Sequence, residues 1–155
     1  MNYPTRYIGL FAAWLALTAA TIGDPAVSKS AQALEHYERG EFPQALQLYR
    51  DAQLERPDAP ELNFNVGSAL FKSGDYESAL REFSQAARDA SDPLKANSHY
   101  NMGNVLYQQQ QYQQAVEAYR QALEIDSDDV DAKANLELAL KQLEQQQQQQ
   151  QDQQQ

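Results

Sequence analysis

Three asparagines, Asn65, Asn101 and Asn135, recur at the same place in successive repeating units of this 155-residue chain. An Asn side chain offers one acceptor and two donors, so it can pair with both the C=O and the N–H of an extended peptide. A ladder of such amides would hold a backbone without reading its side chains. The same columns place Phe64 with Tyr100, Ser68 with Asn104, and Phe71 with Tyr107. Their rings offer apolar contact to a ligand, with Phe71 and Tyr107 partly in the core. The competing reading is that these asparagines bond only within or between helices. The expected binding residues are therefore Phe64, Asn65, Ser68, Tyr100, Asn101, Asn104 and Asn135.

Other chemistry is poorly represented. The two histidines, His36 and His99, lie in different repeats, and no HxxxH or HExxH spacing could hold a metal. No glycine-rich phosphate loop is present. The absence of cysteine removes thiol nucleophiles, disulfides and thiolate metal sites. Asp126, Asp128, Asp129 and Asp131 lack the Gly and the distal Glu of a calcium loop, so capping of a following helix explains them better. We expect no catalytic residue, no metal and no cofactor. The 22 acidic and 12 basic residues give a net charge of −10. That balance argues against nucleic acid, which needs a basic stripe, and against an anionic membrane surface.

The elements that position these residues follow from a repeating pattern. GEFPQALQLYRDA begins at Gly40, GDYESALREFSQA at Gly74 and QQYQQAVEAYRQA at Gln110, at spacings of 34 and 36 residues. Each copy has a small residue (Ala45, Ala79, Ala115), an aromatic four positions on (Tyr49, Phe83, Tyr119) and a second small residue (Ala52, Ala86, Ala122). A period of this length means an all-α array of helix pairs. First helices are expected near 27–39, 60–73 and 93–109, and second helices near 42–55, 76–90 and 112–126. Asp92 before Pro93 reads as an N-cap. Gly40 and Gly74 end helices where a left-handed residue is needed, and Gln110 in their place predicts a tighter or more strained turn. A cap helix over 130–144 should cover the apolar end of the array. Ten of the last eleven residues are Gln, which predicts a disordered tail over 145–155, with prolongation of the cap helix by a turn or two as the alternative, since Gln is a fair helix former.

Residues 1–23 stand apart. Arg6 precedes an uncharged, mostly apolar stretch over 7–23 around Phe11, Trp14 and Leu17, the layout of a signal peptide or an uncleaved anchor. The chain is then expected to be exported, as a periplasmic or inner-membrane-anchored protein. Membrane contact would run only through residues 7–23. The folded domain is expected over 24–144, with repeats near 26–59, 60–95 and 96–129.

The order small–aromatic–small, with Gly67 and Gly103 in the first helices and Gly74-Asp75-Tyr76 at a turn, resembles the tetratricopeptide repeat (TPR). The resemblance implies a right-handed α-solenoid of three helical hairpins plus a C-terminal capping helix. It also implies a concave groove faced by the asparagine column, and hence a protein or peptide partner. Some relatives clamp a terminal carboxylate with Lys, Asn and Arg. The matching positions here are Ser30, Leu34, Asn65, Asn97 and Asn101, of which only Asn65 fits. The stretch YNMGNVLYQQQQYQQAVEAYRQALEIDSDD, the Asn-Leu-Glu cap helix and the Gln tail together resemble the repeat proteins of bacterial aerotolerance (Bat) operons. That resemblance implies von Willebrand A and MoxR-type AAA proteins as partners at the cell envelope. The expected function is a non-catalytic interaction adaptor. The alternatives are a homo-oligomerising structural subunit or a regulatory component of an envelope AAA ATPase/von Willebrand A complex.

Overall fold

A computed structural model describes residues 23–153; the expected export segment lies almost wholly outside them. The described residues form helices α1 (Pro25–Glu38), α2 (Phe42–Glu55), α3 (Pro60–Lys72), α4 (Tyr76–Asp89), α5 (Asp92–Gln108), α6 (Tyr112–Ile125) and α7 (Val130–Asp152), with no strand among them. Consecutive helices pack as hairpins, α1 on α2, α3 on α4 and α5 on α6, and each second helix also packs on the first helix of the next unit. The result is an α-solenoid. The first helices α3, α5 and α7 touch in succession along one face, while α4 and α6 stand apart on the other. Among the described residues no helix is long and apolar enough to cross a membrane.

Local chemistry sets the helix ends. Asp24 and Asp75 cap α1 and α4 by accepting from the amides of Ala26 and Ser78. Asp129 caps α7 by accepting from Asp131 and Ala132, both at 2.9 Å, which accounts for the acidic cluster before that helix. At α5 the expectation needs correcting. Ser91 is the N-cap and makes no side-chain bond, while Asp92 is already helical. There its carboxylate faces the positive end of the helix dipole instead of capping it.

The three hairpin turns share one geometry. Gly40 bonds the carbonyl of Tyr37 while Glu41 bonds that of His36, and the same pair of bonds recurs from Gly74 and Asp75 and from Gln110 and Gln111. These are Schellman closures, which need a left-handed residue. Gly40 and Gly74 supply it at φ 77° and 82°, and Gln110 is forced to φ 60°. A Cβ in that region costs about 1–2 kcal/mol, partly offset by the unfolded-state entropy that glycine brings. Gln110→Gly should therefore stabilise the array by about 0.5–1 kcal/mol in urea unfolding. Gly74→Gln should destabilise it by a similar amount.

Ala45, Ala79 and Ala115 are completely buried, and Tyr49, Phe83 and Tyr119 are at most 2% exposed. One core cluster joins the first two hairpins and a second joins the third hairpin to α7, with Leu80 and Met102 packed against both. The tail takes the helical alternative and not the disordered one. Helix α7 does not stop near Glu144 but continues to Asp152 through the glutamines. Gln is a fair helix former, an i,i+4 contact joins Gln148 to Glu144, and a helix already nucleated on the core needs no further apolar burial to extend.

Candidate peptide-binding face

The expected binding residues sit on the first helices, but most are spent inside the protein. Phe64 is fully buried and meets the Phe83 ring edge-on at 5.5 Å, so it is a core residue and not a ligand contact. Ser68 is 2% exposed and donates its hydroxyl to the Phe64 carbonyl at 2.9 Å. Phe71 and Tyr107 are half-buried and pack on Tyr76 and Tyr112, the first residues of α4 and α6.

The three asparagines have three different fates. Asn135 donates Nδ2 to the Tyr100 hydroxyl at 3.1 Å and to Asn104 Oδ1 at 2.9 Å. Asn104 Oδ1 also accepts from the Tyr119 hydroxyl at 2.8 Å. Four side chains thus tie α5, α6 and α7 together. Burial pushes the Tyr100 phenol up to about 12, so its hydroxyl stays protonated within this network. Asn101 instead donates Nδ2 to the Asn97 carbonyl of its own helix at 2.8 Å. Asn65 is 2% exposed, yet its Nδ2 has no hydrogen-bond partner among the described residues.

Repeat equivalence explains the difference. The acceptors of Asn135 lie 35 and 31 residues before it. The same offsets from Asn65 fall on Ser30 and Leu34 of α1. Leucine has no acceptor and serine is far shorter than tyrosine; Ser30 Oγ is itself buried without a partner among the described residues. For Asn101 the equivalent residues are Phe64, which has no hydroxyl, and Ser68, whose hydroxyl is already turned onto its own helix. Sequence reasoning missed the network around Asn104. Its signal was the change from Phe64, Ser68 and Phe83 to Tyr100, Asn104 and Tyr119 in matching columns, three gains of polar reach in one repeat.

His99 carries a pH dependence. Its Nδ1 is buried and makes no hydrogen bond among the described residues. Burial, then the Lys95 charge, lower its pKa, and Glu124 partly opposes them. The unfolded chain therefore binds a proton near the ordinary value of about 6.5 that the folded form refuses. This contribution to stability is intact above that pH and is lost as pH falls toward the lower folded value. In urea titrations across this range, His99→Gln should flatten the stability loss below about pH 6.5.

Known proteins share this architecture. Two family models, both described as tetratricopeptide repeat, match residues 26–51 and 58–128 and together span more than half of the chain. No curated protein matches. Among solved structures, the first TPR of Spaghetti (RPAP3) bound to the HSP90 peptide SRMEEVD is similar at 18% identity and TM-score 0.72, covering 77% of this chain and 93% of that one. The Sgt2 TPR domain from Aspergillus fumigatus is similar at 23% identity and TM-score 0.71, covering 77% and 79%. The second TPR domain of human RPAP3, in complex with the HSP70 peptide SGPTIEEVD, is similar at 16% identity and TM-score 0.69, covering 74% and 94%. These likenesses show the fold. With the alanine–aromatic crossings, the three Schellman turns and the matched repeat models, the chain belongs to the tetratricopeptide repeat family.

Proposed function

We propose that this chain is a non-catalytic adaptor that binds an extended segment of a partner protein along its first-helix face. The observation that carries this reading is the Asn65 amide, a buried donor with no partner among the described residues, in an array whose equivalent amides are bonded. An unpaired buried donor costs about 1–3 kcal/mol; Nδ2 is shielded from solvent, so a peptide carbonyl would relieve that cost once the side chain turns toward the face. Two structural relatives hold peptides from HSP90 and HSP70, which supports a peptide as occupant. Terminal-carboxylate recognition is disfavoured here, because Ser30, Leu34, Asn97 and Asn101 stand where the clamp would need its other partners, cations included. We place the adaptor at the bacterial cell envelope, exported through residues 1–23, with von Willebrand A or MoxR-type AAA proteins as partners; the support is the sequence pattern alone. An alkaline phosphatase fusion checks the export.

The test of binding uses full-length chain and the partner captured from envelope extracts, titrated by calorimetry. Asn65→Ala should weaken binding by about three- to tenfold, the equivalent of one net hydrogen bond. Asn101→Ala should change little, since its donor is already held by Asn97. Equal affinity of wild type and Asn65→Ala, with intact circular dichroism, would place the site elsewhere. The second reading, homo-oligomerisation, draws on Leu140 of α7, which is 41% exposed. Sedimentation as a concentration-independent monomer would exclude it.

A further inference from the structure

We infer a second docking surface, on the opposite side from the first-helix face and independent of the reading above, that takes an acidic segment carrying apolar side chains. A cleft of about 670 Å³ opens where α4 and α6 stand apart over α5. Its size falls within the roughly 300–1,000 Å³ range of ligand sites. Leu80, Met102 and Leu106 form an apolar floor. Leu80 and Met102 pack against both core clusters, so the floor is fixed by the interior on two sides.

The rim has one sign of charge. Arg81 and Arg88, about two helical turns apart along α4, line the cleft. None of its nine lining residues is a carboxylate, in a chain with 22 acidic and 12 basic residues. Arg81 is oriented by Glu77 at 2.7 Å and by Ser78 Oγ at 2.8 Å, which leaves part of its donor fork unused. Arg88 makes no ion pair among the described residues. Across the gap, Gln111 and Gln114 add neutral amides able to bond a peptide backbone. An apolar floor beneath two guanidinium groups selects leucine-like side chains flanked by glutamate or aspartate, and arginine forks match carboxylates in bidentate geometry. On a chain of net charge −10, most other surfaces would repel such a segment, which gives the cleft its selectivity.

The probe is a fluorescein-labelled peptide, ELEELLEE, compared with its neutral twin QLQQLLQQ by fluorescence polarisation at low and high salt. The full-length chain should bind the acidic probe at least tenfold more tightly than the neutral one, and salt should erase the preference. Arg81→Gln combined with Arg88→Gln should cut acidic-probe affinity at least tenfold and abolish the preference. Both arginines are exposed, so the fold should survive; the single Arg88→Gln variant provides a check with less disturbance. Asn65→Ala should bind the probe like wild type, which separates this surface from the first-helix face. In methyl-labelled methionine spectra the Met102 signal should move on titration. Equal binding of the two probes, undiminished binding by the double variant, or an unmoved Met102 signal overturns the proposal. So does self-association that the double arginine variant abolishes, since the cleft would then hold a second copy.

Discussion

Gly103→Ala should lower the melting temperature by roughly 5–10 °C, the equivalent of about 2 kcal/mol for a domain of this size. Gly67→Ala, the same change one repeat earlier, should move it far less. A Cβ at position 103 would lie 2.5 Å from Cε1 and 2.6 Å from Cδ1 of Tyr119, where ordinary carbon contacts need about 3.5 Å or more. The Tyr119 ring is 1% exposed, its hydroxyl is bonded to Asn104 at 2.8 Å, and it packs against Tyr100. It cannot retreat without breaking the network that holds α7. Overpacking of this kind costs about 1–3 kcal/mol, a hydrogen bond about 0.5–1.5, and alanine returns about 1 through helix propensity. At Gly67 the nearest ring atoms, on Phe83, are 3.0 Å away and carry no hydroxyl tether. A shift of a few tenths of an ångström suffices there, and the propensity gain largely cancels it. Thermal denaturation by circular dichroism reads both variants. Pairing Gly103→Ala with Tyr119→Leu should recover part of the loss. Equal melting points for the two glycine variants would mean that Tyr119 is not held in place.

Removing Val130–Gln155 should cost on the order of 5 kcal/mol, comparable to the whole stability of a small domain. Helix α7 buries Ala132 and Ala139, packs Leu136 on the second core cluster, and supplies the Asn135 amide to Tyr100 and Asn104. Its loss bares the apolar side of α5 and α6 and leaves those side chains without their partner. Removing only residues 145–155 should change stability by less than about 0.5 kcal/mol, because the glutamines of α7 in that stretch are mostly exposed. Urea unfolding distinguishes the two, and the long truncation should also aggregate. Equal destabilisation by both would make the glutamine tail part of the folded unit.

The architecture was legible in the chain because it rests on local rules repeated three times. Ala79 at a close crossing, Phe83 four residues on and Gly74 at a left-handed turn are each demanded by backbone or packing geometry that every repeat reproduces. Even Gln110 announced its strain, since nothing but the turn itself decides its φ. The aspartates before α7 were legible for the same reason, as a cap acts within three residues.

The binding face was not legible to the same degree. Column alignment placed Asn65, Asn101 and Asn135 together as equivalents, and equivalence of position is a local property. Their hydrogen bonds are not local: they depend on what the preceding first helix presents across a junction some 31 to 35 residues away. There Tyr100 and Asn104 can reach Asn135, while Ser30 and Leu34 leave Asn65 unpaired. Likewise the Leu80–Met102 floor between Arg81 and Arg88 exists only because α4 and α6 diverge over α5. The sequence by itself therefore determined the repeat, its turns and its close crossings, because these are satisfied within one unit. Only the tertiary structure decided which amide keeps an unused donor and where a cleft opens, because those are settled by pairs of units whose side chains meet across a junction.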